Sequence, residues 1–144
     1  MTIPVGISRL HFPVTTLGPG RRVGIWFQGC SIRCVGCISV DTWGPANVMT
    51  SIEALVSRIE NWLPEADGVT VSGGEPFDQA DALLALLKAI RERSSTDVLV
   101  FTGYPREVVT SRFSEGGGLI DALVTDPFDL RVSQTLALRG SDNQ

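Results

Sequence analysis

Two kinds of apolar spacing alternate along this chain: compact runs of a few residues, and longer stretches in which apolar positions recur every three or four. Val23 to Phe27 is a compact, partly β-branched run between Gly18-Pro19-Gly20 and Gln28-Gly29-Cys30, and it predicts the first core strand. From Ser51 to Leu63 the residues Ile52, Leu55, Val56, Ile59, Trp62 and Leu63 fall on one helical face. Thr50 and Glu53 stand at capping-box spacing, and Pro64 is expected to stop the helix. Val69 and Val71 mark a second strand that runs into Ser72-Gly73-Gly74-Glu75-Pro76, followed by a helix carrying Ala80, Leu83, Leu84, Leu87 and Ile90. The pattern repeats with a strand from Asp97 to Phe101, the turn Thr102-Gly103-Tyr104-Pro105, and a helix from about Arg106 to Phe113 with Pro105 suited to its first position. Beyond Gly116-Gly117-Gly118 a last run, Leu119 to Val124, ends in Thr125-Asp126-Pro127. Val5 to Val14 fits an extra edge strand or hairpin, and Ser133 to Leu138 a late strand or a wrap-around segment.

Strands that alternate with helices imply an α/β fold with a mainly parallel sheet, because parallel neighbours need long crossovers. Right-handed crossovers align the C-terminal ends of those strands along one edge, where ligands of α/β folds bind. The three glycine turns all fall on that edge. Length adds one constraint: 144 residues without an internal repeat or linker predict a single domain over 1–144, large enough for a core without covalent staples.

Charge and hydropathy exclude two partner classes. Sixteen acidic residues against twelve basic ones give a net charge of −4, no electrostatic reason to bind nucleic acid. No stretch approaches the ~20 apolar residues of a membrane span, and the N-terminus lacks a signal-peptide pattern, so a cytoplasmic protein is expected.

All three cysteines fall in one loop, Cys30-x-x-x-Cys34-x-x-Cys37, directly after the first core strand. An odd, clustered set is a poor disulfide framework and points to a metal. One reading is a structural zinc site completed by His11, nineteen residues upstream of Cys30. Another is three buried thiols without a ligand, although Gly29, Ser31, Arg33 and Gly36 around them do not read as core. The third is a 4Fe-4S cluster held by three thiolates, with the fourth iron open to a ligand.

Cys30, Cys34 and Cys37 after one strand, with Gly73-Gly74-Glu75-Pro76 after the next, resemble the radical S-adenosylmethionine (SAM) enzymes. Gly18-Pro19-Gly20-Arg21, Gln28-Gly29-Cys30, Thr42-Trp43, Ser72-Gly73-Gly74, Thr102-Gly103-Tyr104 and the closing Arg139-Gly140-Ser141-Asp142-Asn143-Gln144 narrow the resemblance to the activating proteins of anaerobic ribonucleotide reductases. Two positions depart from that pattern: Asp126 is followed directly by Pro127-Phe128, and Ile38 replaces an aromatic residue after the third cysteine. The resemblance implies an open, partial (βα) barrel with a 4Fe-4S cluster on Cys30, Cys34 and Cys37. It also implies SAM bound near Gly73, Gly74, Glu75 and Pro76; Thr102 and Asp126, at strand exits on the same edge, are further candidate contacts, although Asp126-Pro127 more commonly starts a plain turn. Trp26, Trp43 and Trp62 are expected in the core and His11 on the surface.

The implied activity is reductive cleavage of SAM to methionine and a 5'-deoxyadenosyl radical, with the electron supplied by flavodoxin or ferredoxin. The radical would take hydrogen from a backbone glycine of a glycyl radical enzyme, an anaerobic ribonucleotide reductase by the resemblance. A radical SAM enzyme acting on a peptide or small metabolite is the nearer alternative, since fold does not fix substrate. A non-catalytic zinc or iron-sulfur module is the more distant one.

Overall fold

The computed structural model describes residues 3–37, 40–46, 49–113, 118–139 and 141–144. Ile38, Gly116, Gly117 and Gly140, on which the sequence reading drew, lie outside them. Six strands form one sheet: β1 (Pro4–Val14), β2 (Arg22–Phe27), β3 (Met49–Ser51), β4 (Gly68–Gly73), β5 (Asp97–Phe101) and β6 (Ala122–Val124), in the order β3-β1-β2-β4-β5-β6. β2, β4, β5 and β6 are mutually parallel, and β1 runs antiparallel to both β2 and β3. The expected parallel run is present and open at β6, and the Val5–Val14 segment is the extra strand.

Alternation along the strands sorts their side chains between two faces. Val23, Ile25, Phe27, Val69, Val71, Val98 and Val100 are fully buried. They form one core with Ile52, Leu55, Val56 and Ile59 of α1 (Ile52–Ile59) and Leu83, Leu86, Leu87 and Ile90 of α2 (Ala80–Arg93). The short α3 (Arg106–Arg112) adds Val109, and Phe113 beyond it meets Phe77 edge to face at 5.2 Å between ring centroids.

Several boundaries differ from the sequence reading, each for a local reason. The first helix is capped by Ser51, whose hydroxyl accepts the Ala54 N–H at 3.1 Å, because β3 runs on through Ser51, opposite Pro4, and the helix starts only at Ile52. It ends at Ile59, before Pro64, which opens a 3₁₀ turn over Leu63–Glu65. A 3₁₀ turn, Pro76–Gln79, also precedes α2. Pro105 is the cap of α3 in extended conformation, outside the first helical position. β6 covers only Ala122–Val124, and residues 133–138 form no strand. Instead Asp142 holds that segment as a wrap, accepting the N–H groups of Thr135 (2.8 Å) and Leu136 (3.0 Å) and the Thr135 hydroxyl.

On the face away from α1 and α2, the base of the parallel run is tied by one buried cation. Arg22, 1% exposed, donates from Nε to Thr70 Oγ1 (2.7 Å), from Nη1 to the Pro19 carbonyl (3.1 Å), and from Nη2 to the Val69 carbonyl (3.0 Å) and Asp97. One guanidinium thereby fixes the starts of β2, β4 and β5, as its planar fork allows. Asp97 is half exposed, so screening discounts the ion pair and the neutral acceptors carry much of the effect. Arg22→Met keeps the apolar stem and strands those acceptors. The expected loss is about 2–4 kcal/mol, read as a lower urea midpoint at unchanged slope.

Candidate active site

The glycine turns and the cysteine loop meet at the other end of the strands. Gly73 has φ of +107°, which glycine adopts without penalty, and a Cβ there would stand 2.4 Å from the backbone of Phe27. Gly74 is closer still to the cysteine loop: a Cβ on it would lie 2.1 Å from the Gly29 carbonyl oxygen and 2.9 Å from that of Thr42. Backbone bonds use this closeness, with Gly74 N–H donating to Phe27 (2.8 Å) and Glu75 N–H to Gly29 (2.7 Å). From the other side, Gly29 N–H donates to the Thr42 carbonyl (2.6 Å) and Cys30 N–H to that of Trp43 (3.1 Å). The start of the cysteine loop is therefore clamped between residues 42–43 and 74–75.

Glu75 is 1% exposed and spans to the next strand exit. Its carboxylate accepts from the Thr102 hydroxyl (2.7 Å), the Gly103 N–H (2.7 Å) and the Phe77 N–H (3.0 Å). Burial pushes its pKa above the ordinary carboxylate value, against the pull of these three donors. Gly103 serves as a notch for the cysteine loop, since a Cβ on it would stand 2.5 Å from Ile32 Cδ1.

These elements surround an open cavity of about 590 Å³. Cys30, Cys34 and Cys37 line one wall, Ser72 to Glu75 and Phe101 to Gly103 another, and Gln134, Leu138, Arg139 and Gln144 of the C-terminal wrap a third. All three thiols are half-buried and free of disulfides. Cys30 Sγ accepts the Arg33 N–H at 3.5 Å, and Cys34 accepts the Phe128 N–H. Burial, and behind it the charges of Cys37 and Cys30, push the Cys34 thiol up, which reflects three sulfurs within electrostatic reach of one another.

Among the described residues no group of three Cys, His, Asp or Glu is gathered tightly enough for a single ion. Zinc requires its thiolates about 2.3 Å from one point, and His11 sits exposed on β1 opposite Gly24, outside the cavity. A cluster asks for something different: separate thiolates on one wall, with hydrogen bonds to sulfur and room beside them. The donor set fits a three-thiolate iron-sulfur cluster and not the zinc site.

Of the residues anticipated as cofactor contacts, Gly73, Gly74, Glu75 and Thr102 line the cavity, while Pro76 and Asp126 do not. Pro76 is buried at the start of its 3₁₀ turn, and Asp126, at φ +77°, accepts the Thr125 hydroxyl. Trp26 and Trp43, expected in the core, are half-buried cavity walls with the guanidiniums of Arg9 and Arg33 over their rings. Trp62 is half-buried against the core and stacks on Phe12, and His11 is on the surface as expected. Arg139 and Gln144 of the closing segment, which the resemblance marks as a candidate partner or cofactor contact, line the cavity, whereas sequence reasoning missed Arg9, Phe128, Gln134 and Leu138 as wall-formers. Phe128 lies shortly after the β6 exit, and Arg9 lies in the middle of β1 with no local signal.

The fold places three thiols on the wall of one open cavity at the C-terminal ends of the parallel strands. The sequence profile of the 4Fe-4S single cluster domain family matches residues 16–144, and the chain belongs to that family. The anaerobic ribonucleoside-triphosphate reductase-activating protein of Escherichia coli (strain K12) is 31% identical over 144 residues, covering 93% of this chain and 93% of that protein. The pyruvate formate-lyase-activating enzyme of Clostridium pasteurianum is 36% identical over 92 residues, 60% of this chain and 39% of that enzyme. QueE from Escherichia coli shares the fold, with a TM-score of 0.60 at 21% identity over 69% of this chain and 52% of QueE. The chain is a radical SAM activating enzyme, and its cofactors are a 4Fe-4S cluster and SAM.

The clamp makes Gly74 a requirement of the cysteine loop itself. Gly74→Ala is expected to displace Gly29 and lower iron content as well as SAM binding, whereas Gly44→Ala, with nothing within 4 Å of the new Cβ, leaves both unchanged. Iron analysis of the two variants decides the point. For Glu75, the folded protein holds the carboxyl proton more tightly than the unfolded chain, so ionisation weakens the fold as pH rises through the ordinary value to the raised one. The stability difference between wild type and Glu75→Gln is expected to move against wild type as urea titrations step from about pH 4 to about pH 7.

Proposed function

We propose that this radical SAM activating enzyme installs a glycyl radical on a backbone glycine of an anaerobic ribonucleotide reductase. Its electron comes from a flavodoxin or ferredoxin in the reducing cytoplasm. The observation that carries the reading is the meeting of three cysteine thiols and the Gly73-Gly74 turn on the walls of one open cavity.

In this reading Cys30, Cys34 and Cys37 hold the cluster. When bound, the cluster supplies one electron to the SAM sulfonium, whose homolysis gives methionine and a 5'-deoxyadenosyl radical. Gly73 and Gly74 bring bare backbone to the cofactor, and Thr102 borders it. Glu75 and Pro76 hold the turn in place, and Asp126 shapes the loop after β6. Trp26, Ser72 and Phe101 form an interior surface that excludes water. The side left open is closed by a loop of the partner, which also delivers the glycine. This openness favours a protein substrate over a small metabolite, because among the described residues no helix or strand covers the open side.

Each of Cys30→Ala, Cys34→Ala and Cys37→Ala is expected to abolish SAM cleavage, assayed as 5'-deoxyadenosine release. Wild type alone is expected to cleave SAM slowly. With the reductase under reducing, oxygen-free conditions it should give a glycyl-radical doublet by EPR, lost when the acceptor glycine becomes alanine. Efficient turnover of a free peptide or metabolite, with no protein radical on any reductase, would replace this reading with the small-substrate alternative.

A further inference from the structure

The two halves of the cysteine loop are held by different chemistry. The second half rests on apolar contact: a Cβ on Gly36 would lie 3.1 Å from Leu130 Cδ1 and 3.3 Å from Phe128 Cε1, and Phe128 N–H reaches Cys34. The first half, beyond the backbone clamp at Gly29 and Cys30, is tied down by one carboxylate. Asp78 Oδ2 accepts the Ser31 N–H at 2.8 Å, and its Oδ1 accepts the Ser31 hydroxyl at 3.0 Å. The Tyr104 hydroxyl also donates to Asp78 Oδ1 and lies 3.0 Å from Ser31 Oγ. Ser31 is the residue directly after Cys30, Asp78 sits in the 3₁₀ turn after β4, and Tyr104 follows the β5 exit.

Every polar group given to Asp78 is thus a donor from the loop or from Tyr104, and among the described residues no salt bridge engages it. A carboxylate beside an anionic thiolate cluster gains nothing from long-range attraction, so its service is geometric. By fixing the backbone N–H one residue past Cys30 it fixes where the Cys30 side chain starts. We infer that Asp78 is the outer anchor of the cluster site, a positioning residue that presets Cys30 for iron, with Tyr104 as its brace. This inference rests on the reading of the three cysteines as cluster ligands.

The network is solvent-exposed, and exposed polar contacts contribute little to global stability. Outer-shell partners of metal ligands, by contrast, typically change metal affinity about 10–100-fold. Asp78→Asn leaves one acceptor oxygen and turns an amide N–H2 toward a donor. The anaerobically reconstituted variant is expected to lose iron to a phenanthroline chelator about 10–100-fold faster than wild type, while the metal-free proteins melt at the same temperature. Tyr104→Phe, which keeps both bonds from Ser31 to Asp78, should lose iron only a few-fold faster, on the order of one lost solvent-exposed hydrogen bond. Ser31→Thr, which keeps the N–H and the hydroxyl, should hold iron like wild type. Iron loss from Asp78→Asn at the wild-type rate overturns the anchor. So does faster loss matched by a fall in the melting temperature of the metal-free variant, which marks a contact of the fold at large. A wild-type protein that takes up no four-iron cluster overturns the reading of the cysteines, and the anchor with it.

Discussion

The contact on which the rest of this structure depends is the approach of Gly74 to the Gly29 carbonyl, too close for any side chain between them. Two neighbouring parallel strands, β2 and β4, leave the sheet side by side, and each continues into a loop that carries part of the site. Their register pairs Phe27 with Gly73, so both loops depart from the same level. Bare backbone at 73–74 lets the two loops bond directly, and the position of the first cysteine then follows from the sheet. A loop with three cysteines in eight residues has little regular structure of its own. Here it borrows its order from its neighbours on both sides.

β4 carries a buried ionisable partner at each end. Below, Arg22 binds Thr70 and Val69 and reaches Asp97 on β5. Above, Glu75 binds Thr102 and Gly103 at the exit of β5. Both bridge the same pair of strands, and both satisfy their buried polar atoms mainly with neutral partners. Neither therefore relies on a salt bridge whose desolvation would cancel its benefit. The effect is a central pair of parallel strands, tied at both ends, on which the cysteine loop and the C-terminal wrap are mounted.

Much of this was legible in the sequence, for physical reasons that differ by residue. Strands β2, β4 and β5 were readable because buried parallel strands are uninterrupted apolar runs, and the cysteines because three thiols in eight residues admit few explanations. The cap of α1 was misplaced by one residue because Thr50 and Ser51 both suit a cap, and only the length of β3, which runs through Ser51 opposite Pro4, decides between them. Trp26 looked like core because an isolated aromatic gives no hint of its face, whereas register with Ser72 turns it toward the cavity. Arg22 beside Arg21 could not be singled out at all, since burial of one and exposure of the other depends on strand alternation that starts between them. Residues 133–138 fit a late strand or a wrap-around segment, and only the contacts with Asp142, which no local pattern announces, decide for the wrap.

The antiparallel placement of β1 has a consequence for how such a chain can be enlarged. A strand that runs against its neighbours ends the parallel run on one side of the sheet, and beyond it lies only the three-residue β3. Growth toward a fuller barrel is thereby directed to the margin beside β6, where the wrap now crosses. A recombinant chimera that lengthens this scaffold must insert its new units there and reroute the wrap around them. A graft before β1 would extend only the antiparallel flank and leave the reaction chamber as shallow as before.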